Sequence, residues 1–149
     1  MSLFRFYTII TFLIVIYSCN KNKTIDCNTD LKYINSKTYY SNKLYSGDCF
    51  GKYENGNIMS FQSYKNGVDN GKWIFYFENG NIETEGEYLN GKRIGNWYYR
   101  YSNGTIKQIS KYDSLGRKNG IWEYYDVNGN LLGRQEYIED YLIVNKNSL

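Results

Sequence analysis

WIFYFENGNIETEGEYLNG, residues Trp73 to Gly91, decides the fold. It opens on aromatic residues, turns at Asn79-Gly80, passes three glutamates at alternate positions, and reaches a second Asn-Gly at Asn90-Gly91. Asn-Gly between apolar runs is the strongest short hairpin signal, because both central residues of the favoured two-residue turn take positive φ. With Asn79-Gly80 as those two residues, Phe77 faces Ile82, Phe75 faces Thr84 and Trp73 faces Gly86. Large rings then lie opposite small or slim side chains on one face. Glu83, Glu85 and Glu87 fall on the other face, successive members about 6.8 Å apart along the strand.

The stretch is one of several in phase. Asn-Gly recurs at Asn55-Gly56, Asn79-Gly80, Asn103-Gly104 and Asn128-Gly129, in steps of 24, 24 and 25 residues. Trp73, Trp97 and Trp122 keep that step, as do Gly47, Gly71, Gly95 and Gly120, and Tyr64, Tyr88, Tyr112 and Tyr137. A fixed period with several landmarks in phase marks a repeat architecture. The connections between tiles agree on one meander. Asn90-Gly91, taken as a two-residue turn, puts Trp97 opposite Thr84 and Tyr99 opposite Ile82, the face already chosen by the first turn. A one-residue slip would have reversed the faces. Asp113 to Arg117 carries one extra residue. A three-residue loop with Gly116 left-handed absorbs it and sets Trp122 opposite Gln108. The expected fold is all-β: a single-layer antiparallel β-meander of about four tandem hairpin repeats of 24–25 residues.

The phrases NGVDNGKWIFYFENGNIETEGEY, NGKRIGNWYYRYSNGTIKQISKY and GRKNGIWEYYDVNGNLLGRQEY resemble the bacterial variant of the MORN repeat (membrane occupation and recognition nexus). The shared pattern is Gly, one residue, Trp, aromatics, Asn-Gly, an aliphatic and Tyr, then Asn-Gly again. The resemblance covers about Tyr45 to Tyr137. The first copy departs from it, with Cys49 at the Trp position and Gly51 at an aromatic one, which suits a capping repeat. Tyr137 to Val144 is apolar enough to add a last strand or to cover the far edge.

Composition narrows the function. The 149 residues carry 18 basic and 15 acidic side chains for a net +3, too weak a field to imply nucleic acid. Histidine is absent, which removes the commonest general base and metal ligand. No motif nominates a nucleophile with its base, a phosphate loop, a cofactor site or a metal site. Asp126, Asn128 and Asn130 begin like a calcium loop, but Leu131 and Tyr137 stand where its glycine and glutamate belong, so a hairpin turn is expected. The three glutamates have a separation that would suit an inverting glycosidase. Lys107, Ile109 and Lys111 occupy the equivalent places in the next tile, so a solvated, charge-varied face is expected instead. The stronger candidate is the ring-bearing face, with Trp73, Phe75, Trp97, Tyr99, Trp122 and Tyr124 as inward packing or as a binding surface.

The N-terminus reads as an export signal. Arg5 precedes an uncharged run from Phe6 to Tyr17. Twelve helical residues span about 18 Å against about 30 Å of hydrocarbon, which fits a signal peptide better than a membrane span. Ile16-Tyr17-Ser18-Cys19 resembles a bacterial lipobox. The resemblance implies cleavage before Cys19, acylation of that residue and anchoring through its acyl chains. Asn20 is not the aspartate that retains some lipoproteins in the inner membrane, which favours the outer membrane. Cys27 and Cys49 are then candidates for a disulfide, or two free thiols. The expected organisation is a signal peptide over 1–18, a polar tether over 19–43 that becomes ordered near Tyr39-Tyr40, the repeat domain over 44–144 and a tail over 145–149. The expected function is a non-enzymatic lipoprotein of the bacterial cell envelope that binds a protein partner through its sheet. The family resemblance also implies an immunity or antitoxin component that masks a toxin, and a glycan-binding or glycan-acting protein is a further alternative.

Overall fold

The computed structural model describes residues 24–147. The lipobox and Cys19 lie outside the described residues. Those described form thirteen strands and no helix. In chain order they are β1 (Ile25–Asp26), β2 (Leu31–Ile34), β3 (Lys37–Tyr40), β4 (Lys43–Leu44), β5 (Gly47–Lys52), β6 (Ile58–Lys65) and β7 (Val68–Tyr76). There follow β8 (Ile82–Leu89), β9 (Lys92–Arg100), β10 (Ile106–Tyr112), β11 (Gly120–Tyr125), β12 (Leu131–Ile138) and β13 (Tyr141–Asn147). Strands β5 to β13 pair in sequence order as the antiparallel meander expected, and β1 adds to β5 in parallel to complete a ten-stranded sheet.

Two boundaries differ from the sequence reading. The polar segment is folded from Ile25 onward rather than a tether to residue 43, because β2, β3 and β4 make a second, three-stranded sheet. Its apolar residues are too sparse to show periodicity, and backbone bonds to the main sheet hold it. Thr38 N–H donates to the Gly67 carbonyl at 2.8 Å, and Gly67 N–H to that of Tyr45 at 2.7 Å. Tyr45 is buried against Tyr40 and Tyr64. At the other end, β13 runs to Asn147, past the expected limit of 144.

The turns are of two kinds. Asn66-Gly67 and Asn90-Gly91 have both residues at positive φ, as a two-residue turn requires. At Asn79-Gly80 only the glycine does, at φ 86°. Phe77 N–H bonds the Asn81 carbonyl and Gly80 N–H bonds that of Phe77, both at 2.9 Å, so the loop has three residues. Phe77 therefore does not face Ile82, which pairs with Tyr76, while Phe75–Thr84 and Trp73–Gly86 stand as expected. The cause is the Asn79 side chain, whose Oδ1 accepts from Asn81 N–H at 3.0 Å and so closes an Asx turn. Asn55 and Asn103 do the same. At the fourth turn Asp126 fills this role, its Oδ1 accepting from Asn128 and Asn130 N–H, which accounts for the calcium-loop likeness.

A second difference is systematic. Thr84 pairs with Tyr99 rather than Trp97, and Gln108 with Tyr124 rather than Trp122. Each connection is two residues further on than its turn alone would set, because the pairing shifts between Glu85 and Glu87, as it does between Gln62 and Tyr64. The extra residues lie at Gly71 and Gly95, which have positive φ, as does Gly120 in the next tile. These bulges add length to one strand and leave its partner unchanged. They cancel the stagger that the turns would build up, so Trp73, Trp97 and Trp122 stand in one line across the sheet. Between them in that line come Gly86, opposite Trp73, and Ser110, opposite Trp97. Gly86 is buried, and a Cβ there would overlap the Trp97 indole, whose ring lies across it.

Gly86→Ala is accordingly expected to cost about 1–3 kcal/mol through overpacking, and Glu87→Ala beside it, exposed on the far face, less than about 0.5 kcal/mol. Chemical denaturation of the two variants checks the difference.

Cys27 and Cys49 are joined by a disulfide that spans 22 residues and ties β1 to the first tile. Cys49 is fully buried in the line of tryptophans. Reduction is expected to lower stability by about 3 kcal/mol, from the chain entropy of a loop of this size. Denaturation with and without dithiothreitol measures it.

Candidate functional site

Ring stacks along one face make the site. Tyr64, Trp73, Tyr88 and Trp97 follow one another at centroid distances of 5.7, 5.0 and 5.0 Å. Tyr112, Trp122 and Tyr137 continue at 5.4 and 5.2 Å. Most pairs meet edge to face, the arrangement aromatic quadrupoles favour. All six expected ring residues share this face. Trp97 and Trp122 are only 2% and 6% exposed, so they pack as core. Trp73, Phe75, Tyr99 and Tyr124 are half-buried and present what surface there is.

Residues 69–90 and 118–139 match the MORN repeat variant. The tile between them, which carries Trp97, has the same strands and turns. No curated protein sequence matches the chain.

Two cations lie on the ring-bearing face. The Arg93 guanidinium sits 4.5 Å from the Trp97 ring centroid. It donates to the hydroxyls of Tyr99 at 2.9 Å and Tyr88 at 3.3 Å. Burial opposes its charge, and the hydrogen bonds to Tyr88 and Tyr112 more than offset that, so its pKa stands above the ordinary arginine value. The Lys118 ammonium lies 4.8 Å from the centroids of both Trp122 and Tyr137. Such contacts are worth about 0.5–2 kcal/mol, more as they lose water. Sequence reading passed over these cations, although Arg93 and Lys118 stand 25 residues apart, in phase with the tryptophans that were noticed.

The glutamates of the opposite face are not alike. Glu83 and Glu87 are exposed, whereas Glu85 is half-buried and pairs with Arg100 at 2.7 Å. This face is also more apolar than a solvated one. Ile74 is buried there, opposite Phe61 and Glu85. A shallow depression of about 290 Å³ beside Gly86 and Gly95 is lined by Glu85, Glu87 and Lys72.

Polar links between tiles run along one rim. Asn57 Nδ2 donates to the Glu78 carbonyl at 2.9 Å, Asn81 Nδ2 to that of Ser102 at 2.8 Å, and Asn103 Nδ2 to that of Val127 at 3.2 Å. Tyr101 Oη donates to the Tyr125 carbonyl at 2.9 Å, and Tyr53 makes the same bond to Tyr76. The face is thus fixed in its spacing, a property a binding surface requires.

Burial pushes the Tyr64 phenol up to about 12, with the Asp69 charge adding to it, and burial also raises Tyr45, Tyr99 and Tyr124. An unfolded tyrosine ionises near about 10. The unfolded chain therefore loses these protons first, and stability present below about pH 10 is lost as pH rises through the folded values. Alkaline unfolding is expected between about pH 10 and 12. Tyr64→Phe should flatten part of that loss, as followed by circular dichroism against pH.

Proposed function

We propose that this chain is a non-enzymatic interaction protein of the bacterial cell envelope, anchored by acyl chains on Cys19 and binding a protein partner through the ring-bearing face. MORN repeats generally act as protein- and membrane-interaction modules, which supports the binding half. The observation that carries the binding half is the continuity of that face. Half-buried Trp73, Phe75, Tyr99 and Tyr124 come from three successive tiles, held in line by the bulges and by the rim bonds. Rigid aromatics give contact area at small entropic cost. The apolar run from Phe6 to Tyr17 and the lipobox-like end at Cys19 support the anchoring half.

Each half has its own test. Cys19→Ala is expected to abolish incorporation of labelled fatty acid, and label persisting in that variant overturns the anchor. A photo-crosslinking side chain at Tyr124 is expected to capture one discrete protein in native membranes, and the same probe at Glu87 to capture none. Equal capture from both faces overturns the ring-bearing face as the binding surface. A toxin recovered as the partner would make the immunity reading a special case of the same module.

A further inference from the structure

Asp69, Arg93 and Lys118 hold one position of the repeat, in steps of 24 and 25 residues. Register confirms the equivalence: Asp69 pairs with Tyr64, Arg93 with Tyr88, and Lys118 bridges to Tyr112. Arg93 and Lys118 each place a cation on the tryptophan of their own tile. The second tile has the tryptophan, Trp73, and the tyrosine, Tyr64, but a carboxylate where the others carry the cation. Among the described residues no lysine or arginine lies over the Trp73 ring, and Asp69 forms no ion pair.

Space is left there. A cavity of about 340 Å³ opens between the second tile and the three-stranded sheet, walled by Trp73, Tyr64, Asp69, Thr38, Leu31 and Tyr33. Tyr33 is 75% exposed and forms the rim. Burial holds the Asp69 carboxyl above its ordinary value, the mark of a charge with little compensation. Aromatic walls beside a carboxylate are the chemistry that binds organic cations.

We propose that this pocket receives a cationic side chain, guanidinium or alkylammonium, from a partner polypeptide, seated on Trp73 and paired with Asp69. The pattern is the one the chain makes for itself in the next two tiles, where Arg93 and Lys118 are the occupants. The proposal deepens the interaction-module reading and rests on it for a biological partner. The pocket is tested with small cations alone, so a failure here leaves the acylation and crosslinking tests standing.

The full chain is titrated with Nα-acetyl-arginine amide while the indole N–H signals of its tryptophans are followed by NMR. The Trp73 signal is expected to move and those of Trp97 and Trp122 to stay. Nα-acetyl-norleucine amide, neutral and of similar shape, is expected to leave Trp73 unmoved at the same concentration. Asp69→Asn should weaken binding by about tenfold or more, since the charge-assisted pair is lost. This variant removes a half-buried charge that forms no ion pair and keeps the side chain's size, so it should fold. Asp69→Arg supplies the cation from within and should abolish binding. Equal shifts with the neutral amide, or unchanged affinity in Asp69→Asn, overturn the site. Phosphocholine binding more tightly than the arginine amide overturns the polypeptide partner in favour of a choline headgroup.

Discussion

An indole ring laid across a residue without a side chain is the contact on which the sheet depends. Trp97 covers Gly86, with Trp73 on the other side of that glycine and Ser110 on the other side of the indole. Large and small alternate along the line, so wide rings fit strands spaced about 4.8 Å apart. A sheet of one layer has nothing packed on it to bury its rings. Here the rings bury one another, and Trp97 reaches 2% exposure with no second layer of tiles above it among the described residues. Its indole N–H is left without a partner, whereas those of Trp73 and Trp122 bond backbone carbonyls. Leaving that buried donor unpaired costs about 1–3 kcal/mol, which the packing against Gly86 and the cation of Arg93 offset.

The alternation requires register, and register comes from the backbone. Turns alone would walk the tryptophans two residues along the strand at each tile. Glycines in the left-handed region at 71, 95 and 120 let the chain bulge and bring them back into line. The same alignment sets Asp69, Arg93 and Lys118 in one row, so a geometric correction made for packing also places two cations over two rings and a carboxylate in the cavity beside the third.

Much of this could be read from the residues. The period, the strand order from β5 to β13, the face of each ring, and the pairs Trp73–Gly86 and Phe75–Thr84 all follow from Asn-Gly spacing and alternation. Gly116 in a three-residue loop follows from counting. The bulges were not legible, although Gly71, Gly95 and Gly120 were seen in phase, because a glycine that keeps the period looks the same whether it turns the chain or kinks it. The three-residue character of the Asn79-Gly80 loop was hidden for a related reason: Asn-Gly serves two turn types, and the Asn side chain decides between them. The three-stranded sheet was invisible because its order comes from bonds to residues far along the chain. Of the candidate site, the rings were legible and the cations were not, since a lysine or arginine on a strand ordinarily belongs to the solvent.

The disulfide has a mechanical consequence. The chain from β2 to β4, with one wall of the cavity over Trp73, lies inside the covalent loop between Cys27 and Cys49. A pull on the chain before Cys27 meets the β1–β5 pairing first and, once that parts, the sulfur–sulfur bond to β5. The small sheet stands outside that path. Tension at the N-terminal end passes into the large sheet through Cys27, at the edge of the cavity, and does not run along β2 to β4.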